Sequence, residues 1–521
     1  MQGLHWVDYA IVSGSIVLTV FVGLYFARRQ KSSDKFFSGG RNLPSWAIGF
    51  SIMATLISSV TFLAYPGAAF AGSWILLVQG LMVPLVLLAL IWFIVPLFRR
   101  VIGISAYEYF EKRFGFFARI YSSVAFAFSH FTKMGSVLYL VAIALAPMLG
   151  VNIYMLIAVI GAAIVLLTLL GGLEGVVWMD VIQGNMLILG GIVCAIVLVL
   201  MPDGAPASVF QVISDNHKVS LGPYDWDFTK LTFVVMAING LFYAVQKYGT
   251  DQTMVQRYLA AKTDKAAVRA SLLGISLTVP LWVLFMFIGA ALFAFYQLAP
   301  TPPLPAGTPA DGVFPFFITT QLPVGFKGFI IAALVAAAIS TIDADINCLS
   351  AVVVEDYYKR LKPASTERQR FRFAKVVIII AGAAVLAIAA LYAHMGGEGV
   401  LGLVFELYAI FSAGIAGMFL LGLLSRRANK QGLYVGIGAC VLFTAYAMLT
   451  SSKFDFDGDG VKTALCDLGR YNFPHHKYML GVYSHVVLFA VAWVASHFFK
   501  APPVDEGLTL YGFLKKKNPK P

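Results

Sequence analysis

The segment AAAISTIDADINCLS, residues 336–350, sets two carboxylates among hydroxyls and an amide inside an otherwise apolar run. On a helix, Ser340, Asp343, Ala344 and Asn347 fall at i, i+3, i+4 and i+7 and share one face. Ala337 and Thr341 border that face, and Asp345 lies at least about 100° round from Asp343. Hydroxyls, backbone carbonyls and carboxylates are hard oxygen ligands, suited to Na+ and not to a soft, thiolate-seeking metal. An ionised carboxylate near a bilayer centre is costly, and is kept where a cation, a partner charge or water compensates it. Asp180, in VVWMDVIQG, has the same difficulty, and with Asp343 it could compensate two monovalent cations; solvation at a helix end is the alternative for both. Asp345 is expected to be hydrated, or paired with a cytoplasmic Lys or Arg. Lys133, in SHFTKMGSVLYL, and Lys247 also fall at membrane depth. A buried ammonium needs a carboxylate or an anionic ligand, so they point either to an acidic substrate or to ion pairs with membrane acids.

The elements that must position these residues are membrane helices. Of 521 residues, 59% are hydrophobic and 12% charged, against roughly 25% charged in a soluble domain, and the mean hydropathy is +0.81. About 20 apolar residues make a span, which predicts thirteen: 7–27, 45–71, 75–98, 119–147, 152–172, 176–200, 230–248, 271–297, 325–355, 373–394, 399–423, 431–450 and 478–498. With the N-terminus outside, all but eight of the 38 Lys and Arg fall in inner loops and the tail, as excess positive charge on the cytoplasmic side requires. The net charge of +12 is then a topology signal, and nucleic acid is excluded as the partner. The basic tail LKKKNPKP suits an anionic inner membrane surface or plain solvation. MQGLHWVDYA has no signal-peptide pattern, so the first span is expected to stay in place. The four cysteines show no pairing or metal spacing and read as small apolar fillers.

Two spans carry helix breakers at membrane depth. The second has Pro66–Gly67 after a run of small hydroxyls, and the seventh has Asn239–Gly240 and Gly249. Non-helical backbone is tolerated there only where protein or a water-filled cavity covers it. Breaks five spans apart suggest two five-helix halves running in opposite directions, and corresponding broken helices point to a transporter's binding site. The expected units are a leading helix and cytoplasmic loop (1–44), a first repeat (45–200), an outer loop (201–229), a second repeat (230–423), two C-terminal helices (424–498) and a basic tail (499–521). No Walker, HExxH or GxSxG motif suggests catalysis. A channel would call for rings of one residue type around a pore, and a sensor for a soluble signalling domain; neither is visible.

Five stretches in order, YFARRQKSSDKFFSGGRNLPSWAIGFSIMATLISSVTF, GISAYEYFEKRFG, GGLEGVVWMDVIQG, YGTDQTMVQRYLAAK and AAISTIDADINCLSAVVVEDYYKR, resemble the sodium/solute symporter family of sodium–glucose, sialic acid, monocarboxylate and iodide carriers. The likeness runs from about residue 8 to 430. It implies an all-α polytopic membrane protein with a LeuT-type 5+5 inverted repeat, one extra N-terminal helix and two extra C-terminal helices. It implies a plasma-membrane symporter importing a small organic solute with one or two Na+ and no obligate protein partner. The main sodium site would comprise Ala54, Ile57, Ala337, Ser340 and Thr341, and a second Asp180, Ser340 and Asp343. At that second site family serines are replaced here by Asp343 and Ala344, which leaves the sodium count open. Ser58, Thr61, Gln79 and Lys133 match substrate positions, with Lys133 in place of an arginine; Lys247 joins them as the ammonium at the second break. Sugar, sialic or other sugar acid, and small carboxylate stay open as substrates. Outside span twelve, Asp455, Asp457 and Asp459 in DFDGDG fit the first half of a calcium loop, but Cys466 occupies the twelfth position where a bidentate Glu is expected.

Overall fold

The computed structural model describes residues 4–27, 32–202, 206–298, 302–395, 414–454, 463–500 and 505–517, with Gly204. The calcium-loop candidates Asp455, Asp457 and Asp459, and most of the eleventh expected span, lie outside the described residues. Among the described residues the regular structure is helical apart from a small antiparallel pair of Ser452–Phe454 with Thr463–Ala464. Among the described residues nine helices are long and apolar enough to cross a membrane, and one bent pair of shorter helices makes a tenth. That is fewer than thirteen, for three reasons. The fifth and sixth spans run into one another through a kink at Gly172, the seventh is a single helix of only 17 residues, Phe233–Gly249, and the eleventh is largely undescribed.

In chain order the helices are α1 Trp6–Ala27, α2 Ser45–Leu56, α3 Tyr65–Ala71, α4 Leu77–Val101, α5 Phe116–Leu149, α6 Ile153–Leu200, α7 Phe233–Gly249 and α8 Gln252–Ala260. They continue as α9 Asp264–Gln297, α10 Ala310–Gln321, α11 Phe326–Val352, α12 Glu367–His394, α13 Ile415–Leu424, α14 Lys430–Thr450, α15 Lys477–Ala495 and α16 Leu510–Lys517.

Helix α11 is the centre of the molecule. Its most apolar stretch is 94% buried, as expected of a helix apolar on all sides. Its acids therefore meet neither lipid nor bulk water, and the solvated alternative for Asp343 and Asp345 fails. The N-terminus of α11 is fixed by the leading helix: Asp8 on α1 is fully buried and accepts from the Gly325 and Gly328 amides at 2.7 and 2.9 Å. A carboxylate there satisfies free helix N–H groups and suits the positive end of the helix dipole. Gly328 is required, because a Cβ would sit 2.6 Å from the Asp8 Cα. Beyond Val352 the helix passes through a π-helical turn, Val353–Tyr358, where Asp356 holds Ser105 at 3.0 Å and Arg119 at 2.5 Å. The second half of α6 runs antiparallel to α11, Gly190 meeting Ile330 and Ala333. That direction brings Asp180 to the level of Asp343.

Two breaks open beside α11. Helix α2 stops at Leu56, Ile57 is extended (φ −96°, ψ 102°), and a π-helical turn, Val60–Ala64, leads into α3, with a bend of 59°. Lys218 caps the outer piece, donating to the Phe70 carbonyl at 2.7 Å. The second break is not at Asn239–Gly240. Helix α7 runs unbroken through both and ends at Gly249, and Asp251 caps α8. Asn239 instead donates to the Tyr478 carbonyl near the start of α15 at 3.0 Å, and Gly240 lets the backbone of Gln79 approach, to 2.8 Å of where a Cβ would be. These are packing roles that composition alone cannot separate from a break.

Residues 505–517 fold back, with Tyr109 donating to the Leu508 carbonyl at 3.1 Å and Phe513 packed edge-on against Phe93 on α4.

Candidate functional site

The first constellation lies where α11 passes the end of α2. The Ser340 hydroxyl donates to the Ala337 carbonyl at 3.2 Å and stands 3.5 Å from the Ala54 carbonyl; the Thr341 hydroxyl donates to Ala337 at 3.1 Å. The carbonyls of a helix's last turn lack intrahelical partners. The stop at Leu56 therefore frees Ala54, and the extended Ile57 lies at the same break. All five residues expected at the main sodium site are buried. Two hydroxyls with backbone carbonyls released from helix bonding form a hard, neutral oxygen set that fits a small monovalent cation.

The second constellation is acidic. Asp180 is not the lone acid that the sequence suggests. Its Oδ2 accepts from Ser51 at 2.5 Å and from Arg257 Nη2 at 3.2 Å, and both members of this ion pair are fully buried. Arg257 also donates to Ser51 at 2.8 Å and to the Thr253 carbonyl at 2.8 Å. Asp343 has no ion pair among the described residues; Thr168 is its polar neighbour, and its Oδ1 has no hydrogen-bond partner, nor does Oδ1 of Asp180. With both carboxylates ionised, the one guanidinium leaves one negative charge over. Uncompensated, such a charge is expensive in a membrane protein's interior; one monovalent cation balances it.

The third constellation joins both lysines and Asp345. Lys133, halfway along α5, has its Nζ 3.0 Å from Asp345 Oδ2. Lys247, at the end of α7, has its Nζ 2.6 Å from Asp251 Oδ2. His130 lies between the two acids, Nδ1 3.1 Å from Asp345 and Nε2 3.2 Å from Asp251. The partner of Asp345 is thus a lysine inside the same span layer, not a cytoplasmic base or water. Lys247 and Arg257 are interior residues. One turn beyond Lys133, the Val137 carbonyl accepts from Ser59 at the first break at 2.9 Å. Lys133 therefore stands between the two breaks, and its side chain keeps 20% of its surface exposed where its charged neighbours keep 5% or less. Ser58 and Thr61 are buried at the first break, with Gln79 half-buried on α4 beside α7.

The sodium:solute symporter family model matches residues 36–438. The chain belongs to that family. The sodium/sialic acid symporter SiaT of Proteus mirabilis is 34% identical over 440 residues, covering 84% of this chain and 88% of the relative. The sodium/glucose cotransporter of Vibrio parahaemolyticus is 29% identical, covering 85% and 86%. A substrate-bound, outward-open Na+-coupled sialic acid symporter superposes with a TM-score of 0.85 at 30% identity, covering 95% of this chain and 98% of the other. The nucleobase-cation-symport transporter Mhp1, at 14% identity and a TM-score of 0.59, shares the fold. This symporter is therefore an integral membrane protein of LeuT-type architecture that couples the movement of a small solute to Na+, and it is not an enzyme.

Sequence reasoning missed Ser51, His130, Asp251 and Arg257. His130 was within reach, because it lies at i−3 from Lys133 and so on the same face. Asp251 and Arg257 were hidden by their setting, since the polar stretch YGTDQTMVQRYL reads as a loop until its helix is seen to turn inward.

Proposed function

We propose that this symporter imports a hydroxylated organic solute of the sugar or sugar-acid class by alternating access, one Na+ resting at Ser340, Thr341, Ala337, Ala54 and Ile57. A second cation is held at Asp343 with Asp180 behind it. The solute binds between the two breaks, against Ser58, Thr61, Gln79 and Lys133, with Lys247 closing the inner side through Asp251. The observation that carries the reading is Asp343: a buried carboxylate without an ion pair among the described residues, on the helix that also offers the main site's hydroxyls. The sialic acid and glucose carriers among the relatives favour a sugar-like solute, and the monocarboxylate carriers of the family keep small anions as the second choice. The excess of Lys and Arg in alternate loops supports a cytoplasmic membrane location with the N-terminus outside and the C-terminus inside. The acidic loop 455–460 is left out of this reading.

Each cation that enters with the solute gains about 2.3 kcal/mol per 100 mV of inward voltage. Uptake into proteoliposomes under an inward Na+ gradient, with sugars, sialic acids and short carboxylates as candidates, tests the reading. Accumulation of a sugar-class solute that collapses in K+ supports it, and accumulation of short carboxylates alone overturns the substrate class.

A further inference from the structure

We propose that the groove between the start of α14 and the end of α15 binds an anionic phospholipid, an acyl chain lying in the groove and the phosphate meeting Arg427, Lys430 and Lys500. The site is separate from the cation and solute regions and rests on neither reading. Small residues bring the two helices together. A Cβ on Gly436 would lie 2.5 Å from that of Ala492, and one on Gly432 would lie 2.2 Å from the Ser496 hydroxyl. Asn429 ties the loop before α14 to the end of α15, its side-chain amide donating to the Ser496 carbonyl at 2.9 Å. Beside this seam runs an open groove of about 510 Å³, lined by apolar residues from Val435 to Ala490, Val494, Ala495, Phe498 and Phe499. Phe498 keeps 81% of its surface exposed, and Val435 and Val494 about half. An exposed apolar patch of this kind marks a membrane-facing surface.

The groove alone would accept any lipid, and the charges at its mouth select one. Arg427 Nη2 reaches the carbonyl of His497, next to Phe498, at 3.4 Å. Among the described residues that long contact is the guanidinium's one hydrogen bond. Its other N–H groups suit a phosphate, which a guanidinium meets with two parallel bonds. Lys500 follows Phe499 in the chain, and Lys430 opens α14 one turn before Tyr434; both are exposed. The helices supply no acid to answer these charges, because residues 424–450 and 477–500 contain no Asp or Glu. The acids of the tail are engaged elsewhere, Glu506 with Lys515 at 3.3 Å and Asp505 with the Gly507 amide at 2.8 Å. Trp493, edge-on to His497 and partly exposed, sets an amphipathic ring at the same level, as at a membrane's headgroup layer. On the orientation proposed above this end faces the cytoplasm, where the bilayer surface is negative. A zwitterionic lipid would bring its own ammonium to three cations, and a second copy of the chain would bring three more cations to the seam.

The test uses the full-length protein, stripped of lipid in neutral detergent and titrated with dioleoylphosphatidylglycerol, dioleoylphosphatidylcholine or inorganic phosphate. Native mass spectrometry counts bound lipid and chain copies. The parental protein should bind phosphatidylglycerol at least about tenfold more tightly than phosphatidylcholine, with no change in oligomeric state and no displacement by millimolar phosphate. At about fivefold for each basic residue, Arg427→Gln with Lys430→Gln and Lys500→Gln should lower phosphatidylglycerol affinity about 100-fold and leave phosphatidylcholine unchanged. Lys262→Gln with Lys265→Gln and Arg269→Gln removes the same charge from exposed positions around the start of α9 and should leave both lipids unchanged. Ala495→Phe fills the groove and should weaken both. A cooperative thermal transition checks that each variant is folded. The proposal is overturned if the two lipids bind alike, or if the groove and α9 variants lose affinity equally. Displacement of the lipid by free phosphate, or a dimer through this face that excludes lipid, overturns it too.

Discussion

Replacing Asp343 by Asn removes a buried carboxylate that has no ion pair among the described residues, at nearly constant shape. A unit charge about 4 Å from an opposite charge at an effective dielectric of about 20 is worth about 4 kcal/mol. Without Na+ that attraction is missing and the desolvation cost of Asp343 stands uncompensated. The variant should therefore be more stable than the parent in choline or K+ medium, by about 1–3 kcal/mol after local relaxation. With Na+ the parent should gain about 2.7 kcal/mol more than the variant. Two cations at about 100 times their dissociation constants contribute about 2.7 kcal/mol each, and the variant should keep one of the two contributions. Thermal unfolding in detergent, titrated with NaCl at constant ionic strength, measures both quantities. A variant less stable without Na+, or one with the full parental Na+ response, would refute the claim that Asp343 is a charge waiting for a cation. Asp180→Asn is the contrast: Arg257 already compensates that acid, so its removal should not stabilise the Na+-free protein.

Ser340→Ala deletes one neutral oxygen, worth about 0.5–1.5 kcal/mol, so the Na+ concentration for half-maximal uptake should rise about 2- to 12-fold with expression unchanged. Arg257→Met strands two buried acids and should cost about 3–5 kcal/mol, part of it recovered in the double variant with Asp180→Asn; chemical denaturation reads both. Asp8→Ala removes the cap of α11 and should cost about 1–2 kcal/mol, visible as a lower Tm in Na+ and in K+ alike. On α10, between spans, burial against Gly67 pushes the Asp311 carboxyl up to about 6, above the unfolded value of about 3.9. The native state holds this proton more tightly, so stability is highest below about pH 4 and falls as pH rises to about 6; Asp311→Asn should flatten that slope in thermal scans.

Periodicity and hydropathy make the helices legible because each span must satisfy its own backbone and present apolar side chains to lipid. The same logic exposes Asp343, Asp180 and Lys133, which violate it. What they pair with is decided by tertiary packing, and no local pattern encodes the approach of Arg257 to Asp180 or of His130 to two acids on different elements. The first break was readable because Pro66–Gly67 follows a hydroxyl-rich turn. The second was misplaced because Asn239 and Gly240 serve helix packing, whereas the true stop, at Gly249 before the capping Asp251, resembles an ordinary helix end.

Helix α8 links the Asp180–Asp343 pair to the Lys133–Lys247 cluster by covalent continuity. Asp251, its cap, is held by Lys247 and His130. Six residues later, about 9 Å along the axis, Arg257 holds Asp180 beside Asp343. Between them Gln256 donates to Asn347 of α11 at 3.0 Å and accepts from Cys348 at 2.8 Å. In the proposed function a cation on Asp343 would compete with Arg257 for the same negative field, and a solute anion at Lys133 would compete with Asp345. Either event changes what α8 is pulled towards. A rigid nine-residue helix cannot yield at one end without loading the other, so each ligand alters the free energy of binding its counterpart by an equal amount. Two sites that share one short helix need no longer path than this to be coupled.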